Sequence, residues 1–187
     1  MSNTEAPLLD SNDANYAHCC CEIIIDLKAQ DFFDWYMHEP IENFMHGTLI
    51  VPPITGTEPL PGPKWGKQGA ARKITFKDGT VASEKILSLN LPLEYHYQPW
   101  AYNNPVRLLS DYAKSTMRAE PMGDKTRIVW DYSFHARNMV ALQPLKLFMM
   151  LDWKRNLENG LKVLKAHLEE HGTCKRIHET IAMKKAA

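Results

Sequence analysis

From Cys19 to Lys28 apolar and polar residues alternate: Cys19, Cys21, Ile23, Ile25 and Leu27 share one side, while His18, Glu22, Asp26 and Lys28 share the other. A period of two predicts a half-buried strand. Gln30 and Asp31 then open a short helix carrying Phe32, Phe33, Trp35 and Tyr36, which Pro40 stops, and a second short helix is expected over Ile41 to His46. Further strands are expected over Ala70 to Phe76, Val81 to Leu89, Leu93 to Gln98, Leu109 to Glu120 and Lys125 to His135. Asp78-Gly79 and Gly123-Asp124 supply hairpin turns between them.

The turn at Gly123-Asp124 sets a register. If those two residues form the loop, Met122 pairs with Lys125, Ala119 with Ile128, Met117 with Trp130, Ser115 with Tyr132 and Ala113 with Phe134. One face then receives Ala113, Ser115, Met117, Ala119, Ile128, Trp130, Tyr132 and Phe134, and the other receives Lys114, Thr116, Arg118, Glu120, Arg127, Val129, Asp131, Ser133 and His135. Large aromatics on one strand stand beside small or flexible residues on its neighbour, an arrangement that can leave unfilled volume above the sheet.

The last element is expected from Pro144, suited to a helix's first turn, to His171, with Gly172 as the stop. At about 1.5 Å per residue it spans roughly 40 Å. Leu157, Leu161, Leu164 and Leu168 form its apolar stripe. Leu145, Leu147, Phe148, Met149, Met150 and Leu151 are apolar nearly all round, so that end should be enclosed or should close over something. Gly160 in mid-helix implies close approach of another backbone.

Between these elements, Gly47 to Gly69 carries five prolines and cannot continue a helix or sit centrally in a sheet. Leu49, Ile50, Val51, Ile54, Leu60 and Trp65 make it too apolar for a solvated tether, so a long ordered loop is expected, serving either as a lid or as a surface for a partner. Residues 1–15 read as a flexible leader, 16–172 as one domain and 173–187 as a loose tail.

Composition narrows the function. Twenty-two Lys and Arg balance 22 Asp and Glu without a long block of one sign, which argues against nucleic acid as a partner. No apolar run is long enough to span a bilayer, and Met1 to Asn15 has acids and amides where a signal peptide has a basic patch and an apolar stretch. A cytoplasmic location is expected. Cys19, Cys20 and Cys21 are consecutive, a spacing no disulfide framework uses, and a zinc site would have to gather Cys174 with His18 or His171 across the fold. Reduced thiols and no metal or cofactor are the expectation.

The element order, with the segment Trp65-Gly66-Lys67-Gln68-Gly69-Ala70-Ala71-Arg72, then Phe76 to Gly79, Glu84, Tyr95, Pro105 to Leu109, Gly123 to Trp130 and Phe134, resembles the polyketide cyclase/dehydrase-like branch of the START and Bet v 1 (SRPBCC) superfamily. The resemblance covers about His18 to His171. It implies an α+β helix-grip fold, a curved antiparallel sheet wrapped around a long C-terminal helix with two short helices after the first strand. It also implies a cavity used across the superfamily for lipids, sterols, plant hormones and polyketides. The Ser-Gly-Leu-Pro type gate of the hormone receptors is missing at Lys77 to Thr80, and no Rieske ligand set is present.

Candidate chemistry centres on Arg72 and Glu84. A three-residue loop with a bulge at Asp78-Gly79 sets them directly opposite on the face of Ile74, Phe76, Ala82 and Ile86. They can anchor a carboxylate or phenolate or polarise a carbonyl, although a structural ion pair is the commoner role of such a couple. Tyr95 and Tyr97, facing inward with Leu93 while His96 faces out, can present hydroxyls to a ligand or pack in the core. Ser115 and Met117 belong to the sheet wall. Trp130, Tyr132, Phe134, Phe148 and Trp153 read first as core, and their place around a ligand follows from the resemblance. Asp131 and His135 look like an acid/base pair but fall on the outer face. The expected function is binding of a small hydrophobic molecule, with a cyclase or dehydratase type of acid/base enzyme as the alternative.

Overall fold

A computed structural model describes residues 5–170. Cys174, His171, Gly172 and the expected tail therefore lie outside the described residues.

Seven antiparallel strands form one sheet in the order β1-β7-β6-β5-β4-β3-β2. These are β1 (Tyr16–Ile25), β2 (Ile54–Pro59), β3 (Ala71–Phe76), β4 (Val81–Asn90), β5 (Glu94–Trp100), β6 (Ser110–Met122) and β7 (Lys125–Ala136). Strands β1 and β2 are consecutive in sequence yet occupy opposite edges. The crossover between them carries α1 (Ala29–Tyr36) and a 3-10 turn at Ile41–Asn43. The turn replaces the second short helix expected over Ile41 to His46.

The register of the β6–β7 hairpin is the one its turn dictates, with Met122, Met117 and Ala113 facing Lys125, Trp130 and Phe134. Strands β3 and β4 pair Arg72 with Glu84 through a loop ending at Gly79, whose φ of 80° suits glycine. The expected long loop contains a strand not foreseen: β2 pairs with β3 and bulges between Ile54 and Gly56. Its prolines and glycine hid it, and an edge position is what lets a strand carry them.

The long helix starts earlier than Pro144. Segment α2 (Met139–Phe148) runs through a π-helical turn (Met149–Trp153) into α3 (Lys154–Glu170). Asn138 caps it, its side chain accepting from the Ala141 N–H at 2.9 Å. Pro144 sits inside α2, and Val140, the residue whose carbonyl its missing N–H would have reached, is at the surface. Leu157, Leu161, Leu164 and Leu168 are all buried, and α3 packs on β1. Each such side chain contributes about 1.5–3 kcal/mol when taken out of water. A Cβ at Gly160 would stand 2.7 Å from Met45 Sδ and 3.5 Å from Phe44 O, which explains the glycine.

The apolar start of the helix is only half enclosed. Leu145 and Met149 are buried, whereas Leu147, Met150 and Leu151 are exposed. Only the inward arc of this all-apolar turn meets the sheet. No described helix is long and apolar enough to cross a membrane.

Polar contacts hold the segment before β1 on the outer face. The Tyr112 hydroxyl accepts from Asp10 N–H at 2.7 Å, the Asp10 carboxylate receives Asn15 Nδ2 at 2.6 Å, and Gln98 Nε2 donates to Pro7 O at 2.8 Å.

Candidate ligand cavity

Strands β4 to β7 turn alternate side chains toward the long helix, and the space between is incompletely filled. A cavity of about 50 Å³ is lined by Glu84, Tyr97, Trp130, Tyr132 and Asn156 among others. A second, of about 110 Å³, adjoins it and is lined by Ile50, Pro105, Val106, Phe134 and Phe148. Val51, Pro52, Phe76, Tyr102 and Trp153 face both. The aromatic walls interlock: Trp153 lies 4.9 Å from the Tyr132 ring centroid and 5.0 Å from that of Phe134, and Tyr102 and Phe148 flank Phe134.

The segment Gly47 to Pro53 covers the pair. Gly47 has a φ of 75°, and a Cβ there would meet Val51 O at 2.4 Å, so only glycine allows the chain to fold back on itself. Thr48 Oγ1 accepts from Val51 N–H at 3.1 Å and donates to Asp152 Oδ2 at 2.6 Å. Asp152 is buried within the π-helical turn. The turn thus presents a carboxylate to the cover, and π-turns of this kind recur at functional sites.

Polar groups in the walls fall into two sets. In the first, every hydroxyl is engaged. Trp130 Nε1 donates to the Tyr97 hydroxyl at 2.8 Å and to Ser115 Oγ at 3.1 Å, and Ser115 Oγ donates to Asp131 O at 2.7 Å. The hydroxyls of Tyr36 and Tyr95 share a hydrogen bond of 3.1 Å. Burial, above all, holds Tyr95, Tyr97 and Tyr132 well above the ordinary phenol value, so these hydroxyls stay neutral. Glu84 Oε1 receives Arg72 Nε and Nη2, Glu84 is buried and Arg72 partly so, and the guanidinium lies 3.7 Å over the Trp65 ring.

The second set is unpaired. Among the described residues, Trp153 Nε1 and Asn156 Oδ1 are buried without a hydrogen-bond partner. They lie three residues apart, on one helix face, and both side chains line the smaller cavity. An unmet buried donor or acceptor costs on the order of 1–3 kcal/mol.

Of the residues singled out in the sequence, Glu84, Tyr97, Trp130 and Tyr132 line the smaller cavity and Phe134 and Phe148 the larger. Arg72 reaches the wall only through Glu84. Tyr95 and Met117 are buried beyond it in the core, and Ser115 stands behind Trp130. Leu93 does not join the tyrosines but is exposed in the turn between β4 and β5. Asp131 and His135 do not form a pair: Asp131 meets Arg118 at 2.6 Å, and His135 stacks on Tyr112 at 4.6 Å and approaches Asp10. Sequence reasoning missed Tyr102, Val51, Pro52 and Asn156. The one available signal was Asn156 itself, a polar residue beside Leu157 on the apolar stripe.

A larger concavity, about 780 Å³, lies on the opposite side of the sheet around Ala101, Asn103, Arg107 and Arg137. Its tryptophan, Trp100, is already covered.

The ginseng major latex-like protein 151 of Panax ginseng superposes with a TM-score of 0.61 at 15% identity, over 82% of this chain and 97% of that one. The fold is that of the Bet v 1-like proteins. Norcoclaurine synthase from Thalictrum flavum, in complex with dopamine and hydroxybenzaldehyde, gives 0.60 at 16% identity over 90% and 98% of the two chains. A protein from Nitrosospira multiformis shares the Bet v 1-like fold at 0.55 and 14% identity, over 84% and 97%. No family model matches the sequence, and no curated protein matches it. The seven antiparallel strands and long C-terminal helix are the helix-grip arrangement that the Bet v 1-like resemblance implied.

Proposed function

We propose that this protein binds a small hydrophobic molecule in the space between the sheet and the long helix. One observation carries the reading: a well-packed core leaves two adjoining voids walled by Trp130, Tyr132, Phe134, Phe148 and Trp153, and a hydrogen-bonded segment covers them. Affinity would come from apolar burial, at about 25 cal/mol per Å².

Size separates the ligand classes that the resemblance implies. Pockets for drug-sized molecules measure roughly 300–1,000 Å³, against about 50 and 110 Å³ here. A sterol, a long acyl chain or a polyketide needs the Gly47 to Pro53 cover to move, whereas a small single-ring molecule is nearer the combined size of the two voids.

Catalysis in the same cavity is the second reading, and Glu84 supports it as a buried carboxylate in the wall. Against it stands the Arg72 guanidinium, which occupies one of the carboxylate oxygens. Native mass spectrometry of the purified protein, followed by thermal-shift titration with lipids, sterols and aromatic polyketides, tests the binding reading. A retained apolar molecule or a saturable rise in Tm is the expected result; no retained molecule and no shift across the panel would sink it. An enzyme would lose turnover of the retained molecule in Glu84→Gln while keeping its fold.

A further inference from the structure

We infer that the exposed apolar patch formed by the Gly47 to Pro53 cover and the neighbouring turns of the long helix docks on the surface of an anionic lipid bilayer. The inference does not depend on what the cavity holds, and its test uses no ligand.

Large apolar side chains meet water together in one part of the molecule. In the cover, Leu49 is 99% exposed and Ile50 63%. On the helix, Leu147, Met150 and Leu151 are each more than half exposed, and their spacing of three and four residues sets them side by side. Thr48, the residue before Leu49, donates to Asp152, the residue after Leu151, at 2.6 Å, so the two groups adjoin. A leucine exposed singly is ordinary, whereas a contiguous apolar patch marks an interaction site.

Charge points to what covers it. From Met139 to Leu157 the chain carries Lys146, Lys154 and Arg155 against one acid, Asp152. All three cations are exposed, while Asp152 is buried and its Oδ2 is taken by Thr48. Two acids lie nearby: Glu158 approaches Lys154 only to 3.9 Å, and Asp78, beside the larger cavity, receives the Thr80 hydroxyl at 2.6 Å. An apolar patch rimmed by cations complements an anionic bilayer, where leucines enter the boundary between headgroups and acyl chains and lysines stay among the phosphates.

A second copy of the chain fits less well. A two-fold interface through this patch would set Lys146, Lys154 and Arg155 near their own twins. The exposed side chains of the patch are Leu, Ile and Met, without the Trp or Tyr that anchors most protein interfaces. A fluid bilayer needs no shaped anchor.

The test sediments the full chain with vesicles of phosphatidylcholine alone and of phosphatidylcholine with about one-third phosphatidylserine. Binding to the mixed vesicles should be at least about tenfold tighter, and raising the salt from about 0.1 to about 1 M should remove most of that preference. Lys146→Gln/Lys154→Gln/Arg155→Gln should abolish it. Leu49→Asp/Leu151→Asp changes two side chains that face water, and should weaken binding to mixed vesicles at least about tenfold with an unchanged Tm. Should Leu151→Asp disturb the π-helical turn, Leu49→Asp alone carries the same expectation. Leu93→Asp is the control: Leu93 is also exposed, but it lies at the opposite end of β4 from Asp78 and the cover, so binding should not change.

Equal binding to neutral and anionic vesicles, full binding by Leu49→Asp/Leu151→Asp, or loss of binding in Leu93→Asp would overturn the inference. So would a dimer in light scattering that Leu49→Asp/Leu151→Asp converts to monomer, because a second copy would then occupy the patch. None of these results bears on the cavity, whose occupancy the thermal-shift panel reads separately.

Discussion

Removing Arg72 would strand the Glu84 carboxylate in a buried wall without the cation that pairs with it. Breaking such a pair from one side costs about 3–5 kcal/mol, so Arg72→Met should lower urea-unfolding stability by that order. Arg72→Met/Glu84→Met should recover most of the loss, because the second change removes the stranded charge; a double mutant as unstable as the single one would contradict the pairing. Cys20 gives a second residue-scale prediction. Its neighbours in sequence, Cys19 and Cys21, are buried, while Cys20 faces outward opposite Asp131. Partial burial, reinforced by Asp131, pushes its thiol from 9.0 up to about 11. The raised value lowers the thiolate fraction at neutral pH. Iodoacetamide labelling at pH 8, followed by mass spectrometry, should therefore find Cys20 slower in the folded protein than in urea; equal rates would contradict the shift.

At the scale of elements, two glycines do different work. Gly47→Ala drives a Cβ into the Val51 carbonyl at a φ that favours glycine, whereas Gly160→Ala meets the movable end of Met45 and gains helix propensity. The first should cost at least about 2 kcal/mol and the second about 1 or less, as measured by chemical denaturation; equal costs would show that the Gly47 fold-back is not required. Strand alternation and turn chemistry made the β3–β4 and β6–β7 registers legible, because a slip by one residue would have moved Trp130 or Glu84 to the wrong face. Three features were not legible. Strand β2 is written in Pro and Gly that only an edge tolerates, the helix start at Asn138 was masked by Pro144, and the π-helical turn has no marker in sequence.

For the molecule as a whole, the fold class was readable from the order of its elements, whereas the edge strand β2 and the cavity's contents were not. Which residues face inward follows from periodicity within one strand. Which of those leave a void depends on how α2 and α3 lie across the sheet, and no local pattern records that. Trp153 reads as core in sequence and becomes the partition of the cavity only when the π-helical turn aims it between Tyr132 and Phe134.

Apolar molecules are expected to enter the space between sheet and helix and not the larger concavity outside. Intermolecular NOEs from bound 1,4-dimethylbenzene measure this directly. NOEs to the side chains of Tyr132, Trp153 and Leu157 are expected. NOEs to Ala101, Asn103 and Arg137 in their place, or none to any aromatic of the inner wall at saturating probe, would contradict it.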